Sequence, residues 1–290
     1  MVVPASLAGL TGARRLPAGF AERARLFASG ELQPVAARDA ATVALLRDTP
    51  AGPEVYALRR QRTMAFGAGM YVFPGGSVDP RDTDPTIGWV GPGPTFWGEA
   101  FAAPEGLARA LVCAAVRETF EESGVLLAGP AGSGTGPVLA AAGGEGWEAD
   151  RQALLAGSLT LAGLLRRRGL VLRSDLLRPW ARWITPVTEE RRFDTRFFAA
   201  ALPGGQHARD VSGEADETAW LEPGEALAAA GRGEIALWPP TAVTLGELRD
   251  CGGVPAALAA RRRITALIPE VLLADGAAWL TVPAGVEYPL

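Results

Sequence analysis

One end of one helix constrains this chain more than any other feature. Arg117-Glu118-Thr119-Phe120-Glu121-Glu122-Ser123-Gly124-Val125 sets three carboxylates three and four residues apart, where helical geometry makes them neighbours. Gly124 is a good residue for ending a helix, so the acids crowd a C-terminus whose partial negative charge disfavours them. Upstream, Leu107, Ala108, Leu111, Val112, Ala115, Val116 and Thr119 recur at helical spacing and predict a stripe packed on a sheet. The helix is expected to begin near Pro104-Glu105. Glu118 and Glu122 fall at the edge of that stripe and Glu121 further round, while Arg117 can pair with Glu121 four residues on. A hard divalent cation with oxygen ligands would relieve the repulsion. A solvated acidic turn is the competing reading, since like-charge penalties on a helix surface are only about 0.2–0.5 kcal/mol.

A second feature favours the cation. Met70-Tyr71-Val72-Phe73-Pro74-Gly75-Gly76 reads as a short strand stopped by Pro and paired glycines, and those glycines let the backbone approach a ligand closely. A strand, a Gly-Gly loop and a helix ending in R-E-x-x-E-E-x-G together resemble the Nudix hydrolase box, G-x5-E-x7-R-E-U-x-E-E-x-G-U, where U is a bulky apolar residue. The second half matches except at Thr119, where U is expected, and the first half starts at Gly76 with Asp82 in place of its glutamate. Residues 83 to 116 then intervene. Gly88, Gly91, Pro92, Gly93 and Pro94, beside Trp89, Phe96 and Trp97, make this interval read as an inserted loop. Such length is uncommon in a loop without a function. The interrupted box, with Trp183-Ile184-Thr185-Pro186, Arg191-Arg192-Phe193 and Leu237-Trp238-Pro239-Pro240, is similar to the coenzyme A diphosphatase branch of that superfamily, over roughly residues 38 to 288.

The resemblance implies an α/β fold: a Nudix α/β/α sandwich with a mixed β-sheet, helical insertions and C-terminal helices. Residues 1–37 become an N-terminal extension, and 38–290 the Nudix domain, with insertions at about 83–104 and 129–170. The implied chemistry is water attack on a pyrophosphate in a nucleoside diphosphate linked to another moiety. Mg2+ or Mn2+ would neutralise the phosphate oxygens and lower the pKa of the water. Glu118, Glu121, Glu122 and the Gly75 carbonyl are the implied metal ligands. Arg117 is expected to orient a glutamate. The general base is either a box glutamate, Glu121 among them, or a later carboxylate; Glu217 ranks ahead of Glu214 and Asp216, with a surface acid as the alternative. Arg59, Arg62 and Arg192 are candidates for phosphate contact. Phe66, Phe193, Trp89 and Trp97 are candidates to stack on a base or line a pantetheine arm. Coenzyme A or acyl-CoA is the leading substrate. ADP-ribose, NADH or a dinucleotide, or a non-catalytic ligand-binding module, are the alternatives.

Composition removes other chemistries. All 28 basic residues are Arg, so a Lys nucleophile or Schiff base is excluded. The one histidine, His207, sits in a Gly-rich turn. Cys113 and Cys251 make neither a disulfide framework nor a zinc site. A net charge of −4 makes no case for nucleic acid, and no apolar run is long enough to span a membrane. A small nucleotide is the expected partner and the cytoplasm the expected location, with a homodimer left open. Strands are predicted at 41–46 and 55–60 about a turn at 50–53, at 125–127, at 183–184 and at 193–202, the last one central. Helices are predicted around 20–27, over 147–168 with a break near Gly157, from Glu222 onward, at 242–249 and at 255–263, with a closing hairpin at Asp275-Gly276. Arg166-Arg167-Arg168 reads as a helix end first and a phosphate contact second.

Overall fold

The computed structural model describes residues 13–61, 68–209, 215–283 and 285–289. Strands β1 (Arg38–Thr49) and β2 (Gly52–Arg60) form an antiparallel hairpin whose pairing runs from Thr49↔Gly52 to Leu46↔Val55 and then stops. Strand β3 (Met70–Val72) takes over the freed edge of β2 at Leu58↔Val72. Strand β4 (Gly75–Ser77) takes over the freed edge of β1 at Thr42↔Gly75. The strand-Pro-Gly-Gly segment therefore fills a fork between two parting strands, and Pro74 lies where the chain crosses from one prong to the other.

Beyond β1 the sheet continues with β5 (Leu177–Ile184) and β6 (Phe193–Ala201), β6 lying parallel to β1 and antiparallel to β5. Strand β7 (Ala215–Leu221) pairs antiparallel with the other edge of β2. Two short strands complete a mixed sheet of nine among the described residues: Ala236–Leu237 beside β3 and Ala266–Leu267 beside β5. The central place expected for the 193–202 strand is the one β6 holds.

Successive strand residues point to opposite faces, and this alternation divides the core. Val43, Leu45, Tyr56, Leu58 and Phe198 face α2 (Pro94–Phe101), α3 (Glu105–Ser123), α4 (Glu145–Leu155) and α5 (Leu161–Arg168). Ala44, Leu46, Val55, Ala57 and Phe197 face α6 (Pro223–Gly231), α7 (Pro239–Cys251) and α8 (Val254–Ala259). The result is the α/β/α sandwich that the box implies. Helix α3 begins where Pro104-Glu105 predicts, but its buried surface is wider than one stripe: Ala110, Cys113, Ala114 and Phe120 are buried as well. The cause is packing on both flanks. Trp97 and Phe101 of α2 stack 6.2 Å apart on one side, and Trp147 meets Phe120 edge-on at 6.1 Å on the other.

Three expectations change. The 83–104 segment is not a plain loop: after a 3-10 turn at Pro80–Thr83 it forms the short strand Trp89–Val90, which pairs with Leu172-Arg173, and then α2. Trp97 is fully buried, and Trp89 donates to the Pro92 carbonyl at 2.8 Å with Arg109 over its ring. Both are core of the insertion and not ligand platforms. The strand expected at 125–127 starts instead at Ala128–Pro130. Gln206 explains the shift, because its side-chain amide bonds both the N–H and the carbonyl of Leu126 at 2.9 Å and so stands in for a neighbouring strand. The last predicted helix stops at Ala259.

Described segments from early and late in the chain meet. Arg14–Arg15 pairs with Ala277–Thr281, which pairs in turn with Glu270–Ala274, and helix α1 (Ala18–Ser29) covers this small sheet through Ala21 and Ala24. Asp275 and Gly276 both have positive φ (51° and 73°), as a two-residue hairpin turn requires.

Candidate active site

The end of α3 lies against the forked strands, and one arginine organises the contact. Arg117 grips both oxygens of Asp82 at 3.0 Å, donates to Glu118 at 2.8 Å and to Glu121 at 3.0 Å, and holds the Ser77 carbonyl of β4 at 3.0 Å. Asp82 is ready for this because the 3-10 turn is doubly capped. The Asp79 side chain accepts from the Arg81 N–H, and the Asp82 side chain accepts from the Asp79 N–H. Asp82 is 2% exposed. The interrupted motif is thus closed in space between two residues 35 positions apart. Thr119, at the position where a bulky apolar residue is expected, is buried and satisfies its hydroxyl on the Ala115 carbonyl at 2.7 Å.

The two glycines make the close approach possible. The Gly75 N–H donates to Glu122 at 2.8 Å. A Cβ on Gly76 would lie 2.3 Å from the Glu118 carboxylate, and one on Gly75 would lie 2.5 Å from the Ala41 carbonyl oxygen. Glu121 is 5% exposed. Burial pushes its carboxyl up to about 7, Arg117 opposes the shift, and the nearby Glu118 and Asp82 charges add to it. On the flank, the buried Arg151 donates to the Glu121 carbonyl at 2.7 Å, which satisfies one of the open carbonyls at the helix end. The Cys113 thiol is pushed up to about 12, chiefly by burial, which makes it an inert core group.

The donor chemistry fits a hard divalent cation. Three carboxylates share one helix end beside a glycine backbone, and all of the donors are oxygens. As placed, the side chains serve other partners: Arg117 sits between Glu118 and Glu121, and Glu122 is on the Gly75 N–H. Among the described residues no three His, Cys, Asp or Glu side chains stand in a metal-holding cluster. The guanidinium occupies the position of counter-charge, and binding an ion requires the carboxylates to turn from these partners.

Glu118, Glu121, Glu122, Gly75 and Gly76 form one wall of a cavity of about 550 Å³. Trp183, Phe193, Phe197 and Trp238 form an apolar wall, and Arg60 and Arg191 also line the space. Phe193, a candidate ligand contact, is in that lining. Arg62 and Phe66 lie outside the described residues, as does Glu214. Three other expected residues are elsewhere. Arg59 and Glu217 do not line the cavity; they pair with each other at 2.9 Å, and Glu217 is 47% exposed. Alternation along β2 turns Arg59 to the face opposite Arg60, and the β7 register sets Glu217 directly beside it. Arg192 is spent on the Thr185 and Val35 carbonyls at 3.1 and 2.7 Å, which leaves its neighbour Arg191 at the cavity. Arg167 and Arg168 pair with Asp150, and Arg166 reaches Thr86, so the arginine run, in the last turn of α5, is tied to other parts of the protein. Arg60, Trp183 and Phe197 line the cavity too, although none is among the ligand contacts expected from the sequence. The signal for Phe197 was present in the two-residue spacing Phe193-Thr195-Phe197, which puts all three on one face.

Comparison with known proteins identifies the family. The family model described as the NUDT19 Nudix domain matches residues 97–248. The "Acyl-coenzyme A diphosphatase NUDT19" of Gallus gallus is 30% identical over 233 residues, covering 66% of this chain and 61% of that protein. The "Putative nudix hydrolase 7" of Caenorhabditis elegans is 29% identical over 216 residues, covering 73% of this chain and 60% of that protein. The chain therefore spans about three fifths of the length of these relatives. A crystal structure of a NUDIX hydrolase from Alicyclobacillus acidocaldarius superposes with a TM-score of 0.63 at 31% identity, covering 79% of this chain and 98% of that one.

Proposed function

This chain belongs to the Nudix superfamily, in the family of the NUDT19 Nudix domain, and from that premise we propose that it hydrolyses a nucleoside-diphosphate-linked substrate at its pyrophosphate with a divalent cation. Coenzyme A or an acyl-CoA is the substrate in this reading, and 3′,5′-ADP and (acyl-)4′-phosphopantetheine are the products. One observation carries it: a single cavity joins the box glutamates to a long apolar wall. Its volume falls within the range of about 300–1,000 Å³ usual for small-molecule sites. A charged pyrophosphate next to a largely aliphatic arm matches such a division. The name of the Gallus gallus relative supports the same substrate class.

A bound Mg2+ or Mn2+ supplies charge neutralisation at the phosphate oxygens and a more acidic water. Glu118, Glu121 and Glu122 would hold it, beside the Gly75 backbone. Glu121 serves in this reading as a ligand first and as a candidate base second, because the proton affinity near 7 that burial gives its carboxyl without metal would fall once a cation is bound. Arg117 acts as a positioning residue, since every bond it makes goes to Asp82, to a glutamate of the site or to the β4 backbone. Arg60 and Arg191 are the arginines placed to meet phosphate oxygens. Among the described residues no helix is long and apolar enough to cross a membrane, and a cytoplasmic enzyme with a soluble nucleotide substrate is the setting we infer.

The test is product chromatography with CoA, acetyl-CoA, ADP-ribose and NADH, each with Mg2+ or Mn2+, run beside a Glu121→Gln, Glu122→Gln variant. Preferential CoA cleavage that the variant loses supports both site and substrate. Preferential cleavage of ADP-ribose or NADH keeps the site and replaces the substrate. Turnover that survives in the double variant rejects the site.

A further inference from the structure

One apolar side chain stands open beside the box glutamates. Leu155, the last residue of α4, is 44% exposed. Val35, Phe96, Val187 and Ile268 are the other large apolar residues so exposed among the described residues, and of the five only Leu155 lines the cavity. It also lines a smaller cavity of about 170 Å³, and the one residue common to both linings with it is Glu121. The leucine therefore borders the glutamate end of the main cavity. A single exposed leucine is ordinary on a surface, but this one is held in place. Helix α4 is tied to the box before and after it: Arg151 donates to the Glu121 carbonyl at 2.7 Å, and Arg81 of the 3-10 turn donates to the Gly157 carbonyl at 2.8 Å.

The position says what kind of group it meets. An open leucine gains most from a ligand group that is itself apolar, and here that group has to lie close to the phosphates that the glutamates serve. Candidate substrates differ at this point. In coenzyme A the phosphate ester oxygen carries a methylene and then a carbon bearing two methyl groups. In ADP-ribose or NADH the corresponding carbon belongs to a ribose, bonded to the ring oxygen and flanked by hydroxyls. Hydroxyls pressed against a leucine would lose water without gaining a hydrogen bond.

We propose that Leu155 is a specificity-determining residue that packs on the dimethyl carbon of the pantoyl segment, beside the pyrophosphate to be cleaved. This rests on the coenzyme A reading above. It gives α4, within the insertion at about 129–170, a part in substrate choice, with Arg151 and Arg81 fixing the leucine relative to Glu121.

Steady-state kinetics on CoA and ADP-ribose for wild type, Leu155→Ala, Leu155→Met and Phe96→Ala test it. Leu155→Ala is expected to lower kcat/KM for CoA about tenfold with ADP-ribose unchanged, so that the ratio of the two falls by the same factor. Leu155→Met keeps an apolar side chain of similar volume and is expected to restore the ratio. Phe96→Ala is the control, since Phe96 is 46% exposed and lies outside the cavity lining; its ratio should match wild type. Because Leu155 is open to solvent, Leu155→Ala should melt near wild type, and a loss of folded protein would lower both substrates alike. An equal fall for both substrates in Leu155→Ala overturns the assignment, as does no fall for either. In those cases CoA cleavage by the wild type leaves the substrate reading standing. A wild type that does not cleave CoA removes the substrate reading, and the assignment falls with it.

Discussion

At the scale of single residues, the two glycines of the fork do different work, and substitution separates them. A Cβ on Gly76 meets only the tip of the Glu118 side chain, whereas one on Gly75 meets the backbone of Ala41 and Thr42 at 2.5 and 2.7 Å. Gly76→Ala is expected to fold with a melting temperature near wild type and lose about 100-fold in kcat, since a displacement near 1 Å in a catalytic group costs that much. Gly75→Ala is expected to lose about 1–3 kcal/mol of stability through overpacking, visible in urea unfolding. Glu121 supplies a pH signature. Its folded pKa is raised from 4.5 to about 7, so between those values the folded chain keeps a proton that the unfolded chain has released. The stability from this group is greatest on the acidic side of that window, falls as pH rises through it, and is level above. In metal-free thermal melts, wild type minus Glu121→Gln should decline from about pH 4.5 to about pH 7, and saturating Mg2+ should remove the decline. A flat difference curve without metal would refute the assignment.

At the scale of elements, the insertion behaves as part of the core. Trp97 packs on Phe101 and Phe198 at 6.2 and 5.5 Å, so Trp97→Ala is expected to cost about 3–5 kcal/mol while kcat per folded molecule stays close to wild type. A small loss with a large fall in kcat would mean that α2 serves the site directly. The same elements show what a reader of the sequence can and cannot see. The hairpin, α3 and the 193–202 strand are legible because each is an apolar run of the right length bounded by turn or helix-end residues. The Asp82–Arg117 grip is not legible as a contact, since 35 intervening steps hide it. Arg191 and Arg192 have identical chemistry, and only the carbonyls of Thr185 and Val35, brought in from other parts of the fold, decide which one is left for a ligand. Glu217 reads as a loop acid near a strand, and only the register across β2 and β7 shows that Arg59 claims it.

At the scale of the whole molecule, helix α1 touches a loop of the cavity wall, while none of the described residues before Arg38 lines the cavity itself. Arg23 of α1 donates to the Thr188 carbonyl and pairs with Glu190 at 2.7 Å, which braces the loop that carries Pro186 and Arg191 into the cavity wall. The pair is largely exposed, and contacts of this kind contribute only about 0–1 kcal/mol to stability. Arg23→Ala is therefore expected to leave the melting temperature nearly unchanged and to raise KM a few-fold at constant kcat, read from steady-state kinetics on the best substrate; a fall in kcat with KM constant would contradict the brace. A last consequence concerns time. Moving Asp82 from near Arg117 to 35 positions away turns a local pairing into a long-range one. The loop to be closed is longer by about two doublings, at roughly 1 kcal/mol of extra closure entropy. The grip should form only after α2 and α3 have docked. During refolding, tryptophan fluorescence should recover first and enzymatic competence second.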